Sequence, residues 1–72
     1  MTDQTHALRL TVNGEAQAVA ATTLKALLDE LGYSEKRVAT AVNGAFVRVG
    51  LRSETQLQPG DAVDIVAPMQ GG

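Results

Sequence analysis

The chain has 72 residues and a formal net charge of −2, and its only aromatic side chains are Tyr33 and Phe46. A single domain of this length leaves little room for a deep catalytic pocket, and neither the charge nor the aromatic content indicates nucleic-acid binding. The sequence contains no cysteine, no apolar run near 18 residues and no N-terminal secretory signal, which predicts a cytoplasmic protein without membrane contact or thiol chemistry.

The first predicted elements are two strands joined by a tight turn. Residues 1–6 are polar and expected to be disordered, with His6 a solvated residue and no metal ligand. Residues 8–12 alternate apolar and polar side chains, which predicts a half-buried strand. Asn13-Gly14 then predicts a type I′ turn, because that turn needs positive φ at both central residues. Residues 15–20 are predicted to return as the second strand.

After residue 20 the spacing of the apolar residues changes from that of a strand to that of a helix. Four leucines spaced at i, i+3, i+4 and i+7 predict an amphipathic helix over residues 22–31. Either Thr22 or Thr23 can cap its start, and Gly32 can end it in the left-handed conformation. Fully burying each leucine would stabilise the fold by roughly 1.5–3 kcal/mol, so this stripe is the predicted main contribution to the core. The four residues are Leu24, Leu27, Leu28 and Leu31.

Shorter strands follow the helix. Residues 38–42 predict a central strand, Asn43-Gly44 a second tight turn, and residues 45–49 its short partner strand. Phe46 is expected in the core. Residues 50–58 follow neither the strand nor the helix period, so this segment is predicted to be irregular.

The last predicted strand leads into the C-terminal segment. Pro59-Gly60-Asp61 is a turn signal, since proline presets φ and glycine supplies a positive φ. Residues 62–66 alternate as a strand and continue into the tail, residues 67–72, which can reach about 20 Å when extended. A hairpin, a helix and further strands predict an α+β fold with one main helix on one face of the sheet.

Strand parity predicts an apolar patch beside this tail. If Val63 and Ile65 face the helix, Val66 faces outward, and two alanines of the strand 38–42 share its face. A small apolar patch beside a mobile tail is suited to docking a partner, whereas ordinary exposure of single apolar residues is the alternative. The predicted partner-binding patch consists of Val66, Ala39, Ala41 and Pro68.

The final residues indicate a reactive terminus. Gly71 and Gly72 lack a Cβ, so they form the thinnest peptide that could be threaded into another protein's active site. We expect the Gly72 carboxylate to be a substrate or carrier group, with Met69, Gln70 and Gly71 as the threading segment. A frayed terminus is the alternative. Acidic residues and His6 are scattered without triad or paired-carboxylate spacing, which predicts no catalytic residue and no enzyme activity of the chain itself.

Taken in order, these motifs resemble the ubiquitin-like β-grasp fold, and more specifically the ThiS family of sulfur carriers in thiamin biosynthesis. The resemblance covers residues 8–72 and implies a mixed sheet of four to five strands, a domain over 1–66 and a flexible Gly-Gly tail over 67–72. Its motifs are TLKALL at 23–28, VATAVNG at 38–44, LQPGDAVDIV at 57–66 and MQGG at 69–72. Ala45 and the segment 50–54 depart from the family pattern.

The resemblance also implies partners and chemistry. An E1-like adenylating enzyme of the ThiF type would use ATP to adenylate Gly72, and the chain itself would bind no cofactor or metal. Sulfur from cysteine, delivered through a cysteine desulfurase, would then form a terminal thiocarboxylate that a thiazole synthase of the ThiG type consumes. Three alternatives stay open: the sulfur carrier subunit of molybdopterin synthase, a ubiquitin-like protein modifier, and an interaction domain whose Gly-Gly is incidental. Gln70 and the lack of phenylalanine near the tail favour the thiamin carrier.

Overall fold

The computed structural model describes residues 7–33 and 37–67, which form a five-stranded mixed sheet with one α-helix on one face. The predictions for residues 1–6 and for Pro68 to Gly72 lie outside the described residues. Every strand lies within its predicted range, although three of them are one or two residues shorter than predicted. The elements are β1 (Leu8–Val12), β2 (Glu15–Val19), α1 (Leu24–Glu30), β3 (Ala39–Val42), β4 (Ala45–Val47) and β5 (Ala62–Val66), with a 3-10 helix at Val49–Glu54.

The last strand lies at the centre of the sheet. The strand order is β2-β1-β5-β3-β4, in which β5 runs parallel to β1 and antiparallel to β3. Val63 is therefore paired with Val12 on one side and Val42 on the other. A mixed sheet of this order covered by one helix is the β-grasp arrangement that the sequence motifs imply.

Two Asn-Gly turns set the register of the two hairpins. Asn13 and Asn43 both have φ of 53°, and the glycines that follow them have φ of 86° and 85°. Positive φ at both central residues is what a type I′ turn requires, and asparagine and glycine are the residues that tolerate it. Each turn joins its strands through two residues, which places Glu15 opposite Val12 and Ala45 opposite Val42.

The helix is shorter than the predicted range of 22–31. Thr23 is the N-cap, because its Oγ1 accepts a hydrogen bond from the Ala26 N–H at 3.2 Å and its backbone is extended. Leu31, with ψ of −1°, is the C-cap, and Gly32 follows in the left-handed region with φ of 89°. The prediction of Gly32 as the helix terminator is confirmed, and Thr23 is identified as the cap.

The core lies between α1 and one face of the sheet. Leu24 and Leu27 are fully buried, and Leu28 is nearly so, which confirms three of the four leucines as core residues. Leu31 is only half-buried and packs at the margin of the core, because the helix ends before it. The buried apolar residues are Leu10, Val12, Val19, Ala21, Leu24, Leu27, Leu28, Val38, Leu57, Val63 and Ile65.

The segment predicted to be irregular contains an ordered 3-10 helix anchored by a buried arginine. Arg52 is only 9% exposed; its Nε donates to Thr40 Oγ1 at 3.1 Å and its Nη2 donates to the Val38 carbonyl at 2.6 Å. The prediction of an irregular segment over 50–58 was therefore wrong for residues 50–54. A short 3-10 helix lacks the apolar stripe that identifies an α-helix in a sequence. Arginine is usually exposed, so the sequence did not indicate that Arg52 would be buried.

Phe46 was predicted to be a core residue, and this was wrong. It is 71% exposed, because it pairs with Ala41 on the face of the sheet opposite the helix. The neighbouring Val47 pairs with the buried Thr40 and points towards the core instead. The strand also ends at Val47, two residues earlier than predicted, since Val49 already belongs to the 3-10 helix.

Candidate functional site at the end of β5

The end of β5 presents an apolar surface on the open face of the sheet. Val63 and Ile65 are buried beneath the helix, whereas Val66 is 60% exposed. Val66 is directly opposite Ala39 in the antiparallel pairing of β3 and β5, and Ala41 is opposite Asp64. The structure therefore places these residues on the face that strand parity predicted. Their role in binding a partner stays a prediction.

Phe46 enlarges this surface. Because it pairs with Ala41, which in turn pairs with Asp64, the three side chains form a row across β4, β3 and β5. We call the surface made by Val66, Ala39, Ala41 and Phe46 the open-face patch. Phe46 was predicted to lie in the core and not on this surface, although the two-residue turn at Asn43-Gly44 fixes the register that carries it onto this face.

The chemistry of the open-face patch is that of a binding surface. Its side chains are methyl groups, a branched aliphatic group and a phenyl ring, none of which can act as an acid, a base or a nucleophile. The exposed carboxylate of Asp64 lies beside them, in the row with Ala41 and Phe46. The two alanines leave the backbone of β3 accessible to close approach, whereas Val66 and Phe46 stand above the sheet on either side of them. This shape, a low strip between two raised side chains, suits an apolar partner surface of complementary shape.

A groove on the described residues lies elsewhere. It has a volume of about 350 Å³ and is lined mainly by Asn13, Glu15, Gln17, Leu31 and Tyr33, on the helix side of the sheet. It is open and mostly polar, and its lining includes none of the residues of the open-face patch. We therefore attach no reaction to this groove.

The described part of the chain carries neither a metal-binding cluster nor a membrane-spanning helix. Residues 7–33 and 37–67 hold no group of three or more histidine, aspartate or glutamate side chains arranged to bind a metal ion. Within the same two ranges, neither helical segment has the length and apolarity needed to cross a membrane. Gly72, Gly71, Gln70, Met69 and Pro68, the predicted modified and threading residues and the last patch residue, lie outside these ranges.

Comparison with known proteins gives consistent matches over nearly the whole chain. The model of the ThiS family matches residues 10–72. A curated relative, the sulfur carrier protein ThiS of Thermus thermophilus, is 40% identical over 62 residues, which cover 85% of this chain and 95% of the relative. A crystal structure of the thiamine biosynthesis protein ThiS from Geobacter metallireducens superposes with a TM-score of 0.77 at 29% identity, covering 90% of this chain and 100% of that one.

Proposed function

Because the chain belongs to the ThiS family, we propose that it is a sulfur carrier whose Gly72 carboxylate is adenylated and then converted to a thiocarboxylate. The observation that carries the proposal is the 40% identity to a sulfur carrier protein over 95% of that protein's length. The family match extends to residue 72, so it includes the Gly-Gly motif on which the chemistry depends.

The proposed reaction has two steps, both performed by partner enzymes. A carboxylate is a poor electrophile, so one oxygen of Gly72 first attacks the α-phosphorus of ATP and displaces pyrophosphate, giving an acyl adenylate. A sulfur nucleophile at the oxidation level of sulfide then attacks the carbonyl carbon and displaces AMP. The resulting thiocarboxylate keeps the sulfur covalently bound to the protein and ionised at neutral pH, ready to act as a nucleophile.

The partners follow from this chemistry. An adenylating enzyme of the ThiF type supplies the active site for the first step and uses ATP. A cysteine desulfurase supplies the sulfur indirectly as a persulfide, whose outer sulfur a thiol reductant must release at the level of sulfide, with formation of a disulfide. The thiamine biosynthesis name of the Geobacter relative supports a thiazole synthase of the ThiG type as the acceptor. We propose that these enzymes dock on the open-face patch and Pro68, while Met69, Gln70 and Gly71 enter the active site as an extended segment.

The test is the intact mass of the protein after reaction with its adenylating enzyme, ATP and a sulfur donor. We expect a species heavier by the replacement of one oxygen with one sulfur, which reacts with an alkylating reagent selective for thiocarboxylates. Fragmentation should place the change on Gly72. A chain truncated after Gly71 serves as the control and should acquire no sulfur at its own terminus.

The outcome of that measurement decides between carrier and other functions. Unmodified protein under complete reaction conditions would contradict the proposal, and isopeptide-linked conjugates in cells would indicate a protein modifier instead. If the thiocarboxylate forms, incubation with purified thiazole synthase or molybdopterin synthase shows which enzyme consumes it. We expect consumption by the thiazole synthase.

A further inference from the structure

The side chain of Asn13 continues the β-sheet after its own strand has ended. Along the parallel pair of β1 and β5, the Thr11 N–H donates to the Asp61 carbonyl at 3.0 Å, and the Asn13 N–H donates to the Val63 carbonyl at 2.8 Å. The next two bonds of a regular parallel ladder would use the backbone carbonyl of residue 13 and the N–H of residue 15. The chain turns away at Asn13-Gly14, so those backbone groups leave the ladder.

The carboxamide of Asn13 replaces both missing bonds. Its Oδ1 accepts the N–H of Ile65 at 2.8 Å, and its Nδ2 donates to the carbonyl of Ile65 at 3.1 Å. A side-chain amide has the same acceptor and donor as a peptide unit, so it can complete a ladder where no strand follows. β5 is thereby held on its β1 side at Ile65, two residues before the tail begins at Ala67.

We propose that Asn13 is a positioning residue for the C-terminal carrier group. Together with the pairing of Val66 with Ala39 on the other side of β5, the two bonds to Ile65 restrict the direction in which the chain leaves the sheet. This role rests on the proposed function, because it concerns delivery of the Gly72 carboxylate to an adenylating active site. Restricting the approach of a reacting group raises the fraction of encounters with productive geometry.

Asn43 offers a matched comparison at the other end of the same strand. It occupies the same turn position with the same φ of 53°, and its Oδ1 accepts the Ala62 N–H at 2.9 Å. Its Nδ2 donates to Asp61 Oδ1 at 3.0 Å. Asn43 therefore makes two side-chain hydrogen bonds, as Asn13 does, but at the end of β5 remote from the tail.

Glycine is the substitution that isolates the carboxamide. It adopts φ near +53° without strain, so Asn13→Gly and Asn43→Gly keep their turns and lose only the side-chain bonds. Asn13→Asp is the conservative variant, since it keeps an acceptor for the Ile65 N–H but has no donor for the Ile65 carbonyl. All three are compared with the unchanged chain as full-length proteins.

We call the two hydrogen bonds between the Asn13 carboxamide and Ile65 the Asn13 clamp. Amide hydrogen exchange measures this clamp without reference to any activity. In Asn13→Gly we expect the Ile65 amide to exchange about tenfold faster relative to Leu27, a core helix amide that reports global opening. Asn43→Gly should leave the ratio of Ile65 to Leu27 within about twofold of the unchanged chain, and Asn13→Asp should lie between the two. Equal Ile65-to-Leu27 ratios in the two glycine variants would overturn the proposal.

Sulfur loading measures the consequence of the clamp. With adenylating enzyme, ATP and a sulfur donor, we expect the kcat for Asn13→Gly to fall about three- to tenfold while the affinity for the enzyme stays unchanged, because the open-face patch is intact. Asn43→Gly should load within about twofold of the unchanged chain.

The two proposals fail in distinguishable ways. Faster Ile65 exchange with unchanged loading of Asn13→Gly would overturn the positioning role and leave the carrier function standing. If the unchanged chain itself acquires no sulfur, the proposed function fails, and with it the positioning role that rests on it. The exchange ratios then still establish whether the amide clamp of Asn13 exists.

Discussion

At the scale of single residues, side-chain direction separates the core from the open-face patch. Ile65 and Val66 are neighbours of similar size, yet Ile65 is 5% exposed and Val66 is 60% exposed. Alternation along β5 is the whole cause of this difference. A polar substitution at Val66 should therefore leave the core intact, whereas the same change at Ile65 would bury a charge.

We predict that Val66→Asp weakens sulfur loading without unfolding the protein. The carboxylate would stand beside Ala39 on the open-face patch and would have to lose water when an apolar partner surface covers it. We expect kcat/KM for adenylation to fall by about tenfold or more, since burying an unpaired charge at an interface is costly.

Ala18→Asp is the matched control for this prediction. Ala18 is exposed and pairs with Arg9 on the same open face, but it lies on β2, at the far edge of the sheet from β3. Circular dichroism of both variants reports folding. Unfolding of Val66→Asp, or loading equal to that of Ala18→Asp, would show that the patch is wrongly assigned.

At the scale of elements, α1 depends on its caps and its packing. It has seven residues, well below the length at which an isolated helix is stable in water. The side chain of Thr23 caps the helix, and Thr23 lies opposite Gln56 in a short antiparallel bridge formed by the backbone bonds of its two neighbours. Glu30, the last residue of α1, accepts the backbone N–H groups of Ala20 and Ala21 through Oε1 at 3.1 and 3.0 Å.

We predict that Thr23→Ala destabilises the protein by about 1 kcal/mol, the usual cost of losing a hydroxyl N-cap. The Ala26 N–H would lose its acceptor, while the backbone bridge to Gln56 would persist. Urea denaturation followed by circular dichroism measures the change as a lower midpoint at an unchanged slope.

Thr22→Ala is the control for the cap. Thr22 is exposed, and its backbone carbonyl accepts the Leu57 N–H at 2.9 Å. We expect that variant to change the unfolding free energy by less than about 0.5 kcal/mol, as surface substitutions usually do. Equal effects of the two substitutions would contradict the assignment of Thr23 as the cap.

At the scale of the whole molecule, the sheet separates the hydrophobic core from the open-face patch. One face carries α1 and the core, and the other carries the open-face patch. The central strand then leads directly to the tail, so changes in the last residues should affect chemistry and leave folding unaffected. This separation is what allows the tail to be tested independently of stability.

We predict that Gly71→Val abolishes adenylation while the protein remains folded. Valine adds a β-branched side chain to the segment that must pass through the narrowest part of a partner's active site. We expect loading to fall by at least about a hundredfold, measured as the thiocarboxylate fraction by intact mass. The melting temperature should stay within about 2 °C, because Gly71 follows the last strand.

Gly50→Val makes the same substitution away from the tail. Gly50 lies in the 3-10 helix with open space where its Cβ would be and no positive φ. It should load sulfur normally, so that loss of loading specific to Gly71→Val reports the threading step. Full loading of Gly71→Val would refute the threading hypothesis.

Much of this fold could be predicted because its signals are local. The two Asn-Gly dipeptides fix two hairpins, and the leucine spacing identifies the helix. Arg52, Phe46 and the carboxamide of Asn13 could not be assigned in the same way, because their roles depend on what the fold places beside them. The burial of Arg52 is explained by its hydrogen bonds to Thr40 and Val38, which become neighbours of Arg52 only in the folded chain. The tail residues are predicted from sequence and family alone.

The position of β5 also determines when the molecule can fold during its synthesis. The hairpin of β1 and β2 and the hairpin of β3 and β4 pair with β5 and not with each other, and β5 is the last of the described strands to be synthesised. Pairs such as Val12 with Val63 span most of the chain, so the sheet cannot close on a nascent chain that lacks residues 62–66. A chain broken before β5 has no joined sheet, so the two hairpins can be brought into one fold only after synthesis has passed residue 66.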